Sequence, residues 1–269
     1  MKRNFQTEFL FQVFSLIIAI IVVHATYVTV VRPRATAVLN EQALQIQEDT
    51  NFTVERSFWV LIKDFEQESC FVLMLWAFSI MGYKATTSLR ERKLLQQVLV
   101  PVPDGVRILP EDSREYARTL QALPGGSRDM LLPRVLLSSL ERFGSTRNIQ
   151  DVSSVANTLC ESEGGRLESE LSMIRYIAWA IPSVGFIGTV RGIGDALGQA
   201  HRAVDGDIMG VTLSLGTAFN STFIALLISI VVMFLVHQLQ SLQERAVFDT
   251  QTYIDHNLIR HMQSRGGVQ

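Results

Sequence analysis

Four long apolar stretches, separated by polar ones, set the pattern of this chain. Residues 9–31 are 23 positions without a charge, and 70–89 are 20 positions broken only by Lys84. Residues 174–198 carry Arg175, Arg191 and Asp195 among apolar and small side chains, and 209–239 are 31 positions with no Asp, Glu, Lys or Arg. About 20 apolar residues cross the hydrocarbon of a bilayer, so the pattern predicts four transmembrane helices. The second is the weakest, since its best apolar run, 70–83, has 14 residues; Lys84 is expected to snorkel near its end. The fourth is longer than a bilayer needs and should project beyond it. Lys2, Arg3, the first apolar run and Val23-His24-Ala25 also resemble a secretory signal peptide with a cleavage site. Both readings leave 32–69 outside.

Basic residues orient the spans. Residues 84–173 hold Lys84, Arg90, Arg92 and Lys93 beside the second span, and eight further arginines. Residues 32–69 hold four basic and seven acidic residues. The positive-inside rule then places 90–173 in the cytoplasm and 32–69 outside. The resulting order is a cytoplasmic N-terminus (1–8), TM1 (9–31), an extracytoplasmic segment (32–69), TM2 (70–89) and a cytoplasmic helical region (90–173). TM3 (174–198), an extracytoplasmic link (199–208), TM4 (209–239) and a cytoplasmic helical tail (240–269) follow. The fold class is an all-α membrane protein, four transmembrane helices with long cytoplasmic helical extensions.

Within the cytoplasmic region Pro101, Pro103, Pro110, Pro124-Gly125-Gly126 and Pro133 cut the helical pattern into short pieces, with helices expected over 113–123 and 134–143. From about Asn148 the spacing of Ile149, Val152, Val155 and Leu159 is helical. Gly164-Gly165 weakens it, and it resumes at Leu167, Leu171 and Ile174. TM3 is thus expected as the upper part of a helix that starts well inside the cytoplasm. Leu242, Phe248 and Leu258, among charges, extend TM4 inward in the same way.

TM3 and TM4 differ from helices that only sit in lipid. At about 100° per residue, Pro182, Gly185, Thr189, Gly192 and Ala196 share one narrow wedge of TM3. Gly210, Ser214, Thr217, Ser221 and Ala225 share one of TM4. Small residues let helices approach closely, and their hydroxyls can bond back to the backbone. The functional alternative is that Thr189, Thr217, Ser214 and Ser221 line the path of an ion. Gly185, Gly188 and Gly192 then serve close packing, and Pro182 permits a bend. Arg191 and Asp195 lie four apart on another face and can pair, either at the outer membrane rim or as a guide for ions or neighbouring subunits. Asn220, off the hydroxyl wedge, is expected to bond across to a neighbouring helix. His24, His201 and His237 fall near span ends and read as interfacial; Asn51-Phe52-Thr53 matches a glycosylation sequon.

Composition agrees with the spans: 48% of the 269 residues are hydrophobic and 19% charged, and the net charge of −2 gives no basic field for nucleic acid. Cys70 and Cys160 fall on opposite sides of the hydrocarbon in this topology, which argues against a disulfide. No Cys/His spacing points to a metal, and no glycine-rich phosphate loop to nucleotide hydrolysis. Neither a cofactor nor an enzymatic reaction is expected, so energy must come from a partner or an ion gradient. Apart from the outer Asp195, no Asp or Glu lies in the apolar centre of any span. A proton-translocating assembly usually needs a titratable group there, which another chain would then supply.

The stretches AIPSVGFIGTVRGIGDAL (180–197) and LGTAFNSTFIALLIS (215–229) resemble the MotA/TolQ/ExbB proton-channel family. The first is similar to its motif of Pro followed by Gly-(Leu/Phe)-(Leu/Ile)-Gly-Thr-Val-x-Gly. The second is similar to its Ala/Gly-Thr-Ala motif with a distal Ala-Leu. The likeness covers 165–240. The four spans resemble flagellar stators, whereas the motif wording is nearer TolQ and ExbB. The family often has an acidic residue where Asn220 stands, and the 32–69 segment is longer than in typical stators.

The resemblance implies a homopentamer in the bacterial inner membrane, its inner wall built from TM3 and TM4. It implies a partner dimer with one transmembrane helix, which bears an aspartate, and with an extracytoplasmic domain. Protons, or sodium in some members, would reach that aspartate past threonines matched by Thr189 and Thr217 and drive rotation. The competing reading is a membrane scaffold that anchors a cytoplasmic helical interaction region; a small-solute transporter is a third, with no internal repeat to support it.

Overall fold

In a computed structural model, residues 2–48, 57–103, 105–206 and 208–263 are described; the Asn51-Phe52-Thr53 sequon lies outside them. No strand occurs among the described residues, where four helices are long and apolar enough to cross a membrane. The chain forms two compact units. One comprises 1–82 and 173–236, called the span unit below; the other comprises 83–172 and 237–269, called the bundle unit.

The span unit begins with α1 (Lys2–Thr26), which passes through a π-helical turn (Tyr27–Val31) into α2 (Arg32–Glu48). Such wide turns are rare and tend to mark functional positions; here Tyr27 and Val31 are buried. After the short α3 (Phe58–Leu61), α4 runs over Phe65–Leu95. Its helical start at Phe65 lies five residues before the apolar run at Cys70, so Glu66, Gln67 and Glu68 ride on a membrane-span helix, and all three are buried. Trp76 Nε1 donates to the Gln12 carbonyl at 2.9 Å and ties α4 to α1.

The bundle unit is built on different lines. It contains α5 (Ser113–Gln121), α6 (Gly125–Arg128), α7 (Leu131–Thr146), α8 (Ile149–Glu170) and the last turns of α11 (Met209–Asn257). Pro133 sits in the first turn of α7, where a missing N–H costs no helical bond. The buried positions of α7, among them Leu132, Val135, Leu136, Ser139, Leu140 and Phe143, recur at helical spacing on one face. Arg147 closes α7 in the left-handed conformation (φ 55°), its N–H donating to the Phe143 carbonyl at 2.9 Å. Asn148 then caps α8 by accepting from the Gln150 N–H at 2.9 Å. Val152, Ala156, Cys160, Ile254 and Leu258 complete the core. Both cysteines are free and buried, and burial pushes the Cys160 thiol up to about 11.

Charges lace this unit together. Lys84 is buried and its Nζ donates to Glu170 at 2.9 Å, so it does not snorkel as expected. Arg166 bridges Glu170 and Glu163, and Arg134 reaches Glu163 at 2.7 Å. Burial pushes the Glu163 carboxyl up, but the bonds from Arg166 and Arg134 outweigh it and hold it below its ordinary value.

Candidate functional site

The site lies between α9 (Ser172–Gly198) and the first half of α11. α10 (Ala200–Val204) and a turn through Gly206, whose φ of +92° favours glycine, join them. Gly185, Gly188, Gly192 and Ala196 are buried, and they face Ser214, Ala218, Ser221 and Ala225. A Cβ placed on Gly188 would stand 2.5 Å from Ser221 Cβ, and one on Gly192 2.8 Å from the Ala218 nitrogen and the Ser214 carbonyl. The two small wedges read from the sequence therefore meet each other within one chain. Packing this close needs the absence of side chains, since in lipid helices associate through van der Waals fit and hydrogen bonds rather than hydrophobic drive.

Hydroxyls cross this seam. Thr189 Oγ1 donates to the Ala218 carbonyl at 3.1 Å and touches Thr222 Oγ1 within hydrogen-bond distance, and Thr222 Oγ1 donates to the Gly185 carbonyl at 3.1 Å. Each hydroxyl has one proton, so only two of these three contacts can be hydrogen bonds at once. Ser221 is fully buried and donates to the Thr217 carbonyl at 3.0 Å. Ser214 accepts from Gln199 Nε2 at 3.1 Å. Thr217 is half-buried, and among the described residues no protein group bonds its hydroxyl. Asn220 is also half-buried; the chain itself offers its side chain no partner among the described residues. Pro182 sits inside α9, which continues through it.

The charged pair needs a correction. Arg191 is paired with Glu66 and not with Asp195: its Nε and Nη2 reach Oε1 and Oε2 of Glu66, both at 2.8 Å. This bidentate grip is the stronger arrangement for a guanidinium. Asp195 is exposed, and its backbone carbonyl accepts from Gln199. Helical spacing allowed the Asp195 pairing, but the early start of α4 brings a better acceptor to α9. Glu68 is likewise held, by Arg32 at 2.6 Å and by His24 Nδ1 at 2.7 Å. His24, read from sequence as interfacial, thus binds a buried carboxylate.

Sequence reasoning missed Thr222, Glu66, Gln67 and Glu68. Thr222 was legible as a hydroxyl in a charge-free span but sits off the wedge that Ser214, Thr217 and Ser221 define. Hydropathy sets the start of the second span at Cys70, which leaves the acidic pair outside it.

Four apolar helices among the described residues, each long enough to cross a membrane, mark a multi-pass membrane protein. The model of the MotA/TolQ/ExbB proton channel family matches residues 128–252, a stretch that embraces α7, α8, α9, the seam and most of α11. No curated protein and no solved structure matches the chain.

Proposed function

We propose that this chain is the ion-conducting subunit, for protons in the first instance, of a two-component motor driven by the ion-motive force. It sits in the bacterial inner membrane with both termini in the cytoplasm. Five copies surround a dimer of a single-span partner, whose membrane aspartate is the titrating group and whose extracytoplasmic domain receives the motion. The observation that carries this reading is the pair of hydroxyls, Thr189 and Thr222, that crosses the α9–α11 seam within a stretch matching a proton-channel family. Thr217 and Ser221 add hydroxyls on an adjoining face of α11. Tight packing of the glycine stripe holds these oxygens still.

Proteoliposomes test this. The chain purified with a single-span partner that bears a membrane aspartate should carry gradient-driven proton flux, and the chain alone should carry little. Thr189→Val and Thr217→Val keep the shape and remove the hydroxyl, so each should lower flux about tenfold or more while the native mass of the complex stays unchanged; tenfold corresponds to about 1.4 kcal/mol. Full flux in both single variants and the double would return the threonines to packing. A second reading, a membrane scaffold, is favoured by the large independent core of the bundle unit; it predicts no flux with any partner.

A further inference from the structure

Beside the seam lies a second polar site that the motor reading does not use. Asp64, Glu66, Gln67 and Glu68 occupy the link before α4 and its first turn, and Asp64 and Gln67, three apart, share a face. Glu66 and Glu68 are fully engaged by Arg191, and by Arg32 and His24. Asp64 is not: its nearest cation, Lys63, stands 3.7 Å from Oδ1, and no group among the described residues bonds its buried Oδ2.

Two neighbours repeat the shortage. Gln67 is fully buried; its Nε2 donates to the Leu61 carbonyl at 3.1 Å and approaches Ser221 Oγ at 3.5 Å, while Oε1 has no donor among the described residues. A flipped amide would set oxygen against the Leu61 carbonyl, so the orientation is fixed. The Tyr27 side chain, in the π-helical turn, is 3% exposed, and its hydroxyl also has no partner among the described residues. The charges acting on that hydroxyl include those of Glu68, Asp64 and Arg32, and its ring lies 6.4 Å from that of Phe71 on the next turn of α4.

Three oxygens, each able to accept, are thus buried on adjoining elements without donors. A buried acceptor without a donor carries its full desolvation cost, and such groups in native proteins are met by water or an ion. We propose that Tyr27, Asp64 and Gln67 line an internal hydration site that holds water and a small monovalent cation, hydronium or sodium, at the entrance to the Ser221 hydroxyl. Asp64 supplies the incompletely neutralised charge, the Gln67 carbonyl a neutral ligand, and the Gln67 amide the link to the seam. Burial, opposed by Lys63 and Arg191, holds the Asp64 carboxyl above its ordinary value.

The entrance role rests on the ion-conduction reading; the hydration site does not. Radiolytic hydroxyl labelling of the full chain in lipid nanodiscs separates them, because radicals born from bound water oxidise the nearest side chain. Tyr27 should be labelled at least about tenfold faster than Phe143, which is equally hidden, in the apolar core. Labelling of Tyr27 no faster than Phe143 overturns the site. A drop on replacing N-methylglucamine chloride with sodium chloride assigns the cation as sodium, and an unchanged rate removes sodium. Gln67→Leu should slow labelling of Tyr27 and, in the proteoliposome complex, lower flux about tenfold at unchanged native mass. Labelled Tyr27 in a complex that conducts fully with Gln67→Leu removes the entrance role. A labelled Tyr27 with no flux under any condition would instead sink the motor reading and leave the site standing.

Discussion

The α9–α11 seam and the core of the bundle unit are both closely packed, by opposite means. The bundle core interdigitates large apolar side chains, with Leu136, Leu140 and Phe143 each fully buried. The seam removes side chains: Gly185, Gly188 and Gly192 bring two backbones together, and hydroxyls reach across to carbonyls. Water drives the first arrangement through apolar burial. The second gains little from that drive in lipid and relies on contact and hydrogen bonds. Large side chains stabilise one region and would wreck the other.

The largest effect should come from emptying the bundle core. Phe143→Ala leaves a cavity among Leu136, Leu140 and their neighbours and should cost about 3–5 kcal/mol. Thermal unfolding of the purified protein, followed by protease resistance of the 90–172 region, reads this. An unchanged midpoint would mean that the apolar core is not what holds this unit.

The seam should fail in the reverse direction. Gly192→Ala adds a Cβ only 2.8 Å from the backbone of α11, which cannot yield as a side-chain tip would. Overpacking of this kind costs about 1–3 kcal/mol, and it should separate Thr189 from Ala218 and lower flux with stability. If Gly192→Ala is silent in both measurements, close approach is not required there.

How much of this contrast was legible in the sequence depends on the range of the contacts. Apolar run length marks the four spans, because a bilayer demands it locally. The glycine and hydroxyl wedges follow from helical periodicity alone. Which surface they face does not: Gly188 against Ser221 is a contact between elements, and periodicity is blind to it. Arg191 shows the same limit, since spacing offered Asp195 while the fold supplied Glu66 from 125 residues away in sequence. Lys84 reads from sequence as a snorkelling charge because its partner, Glu170, lies on another helix. Residues whose roles depend on helix starts, such as Glu66 and Glu68, were missed for a further reason. Hydropathy finds where a span is apolar, not where its helix begins.

Smaller effects should come from the bundle unit's charges. Glu163 carries a folded-state value below the ordinary one because Arg166 and Arg134 outweigh its burial. A depressed carboxylate stabilises the fold fully above its unfolded value, about 4.3, and loses that contribution as pH falls through the lower folded value. Glu163→Gln should therefore reduce stability by about 1–3 kcal/mol at neutral pH, with the deficit shrinking below about pH 4. Both arginines are partly exposed, so the lower end of that range is expected. A deficit that is constant from pH 7 to strongly acid conditions would show that shape, not charge, is what the glutamine changes.

The smallest expected effect is the sharpest test of the comparison, because it uses the same substitution with the opposite sign. Gly164 and Gly165 lie inside α8, and a Cβ on either would meet nothing within 4 Å. Neither is needed for close approach or for an unusual φ. Replacing them should therefore act only through the unfolded chain and helix propensity, a gain of about 0.4–1 kcal/mol for each Gly→Ala change. Gly164→Ala and Gly165→Ala should raise the unfolding midpoint where Gly192→Ala lowers it. Stabilisation at all three positions would dissolve the distinction between the two kinds of packing. Destabilisation at Gly164 or Gly165 would mean instead that the surface of α8 near Leu167 and Val247, an open groove of about 330 Å³, is closed in the assembled protein by something that tolerates no extra methyl group.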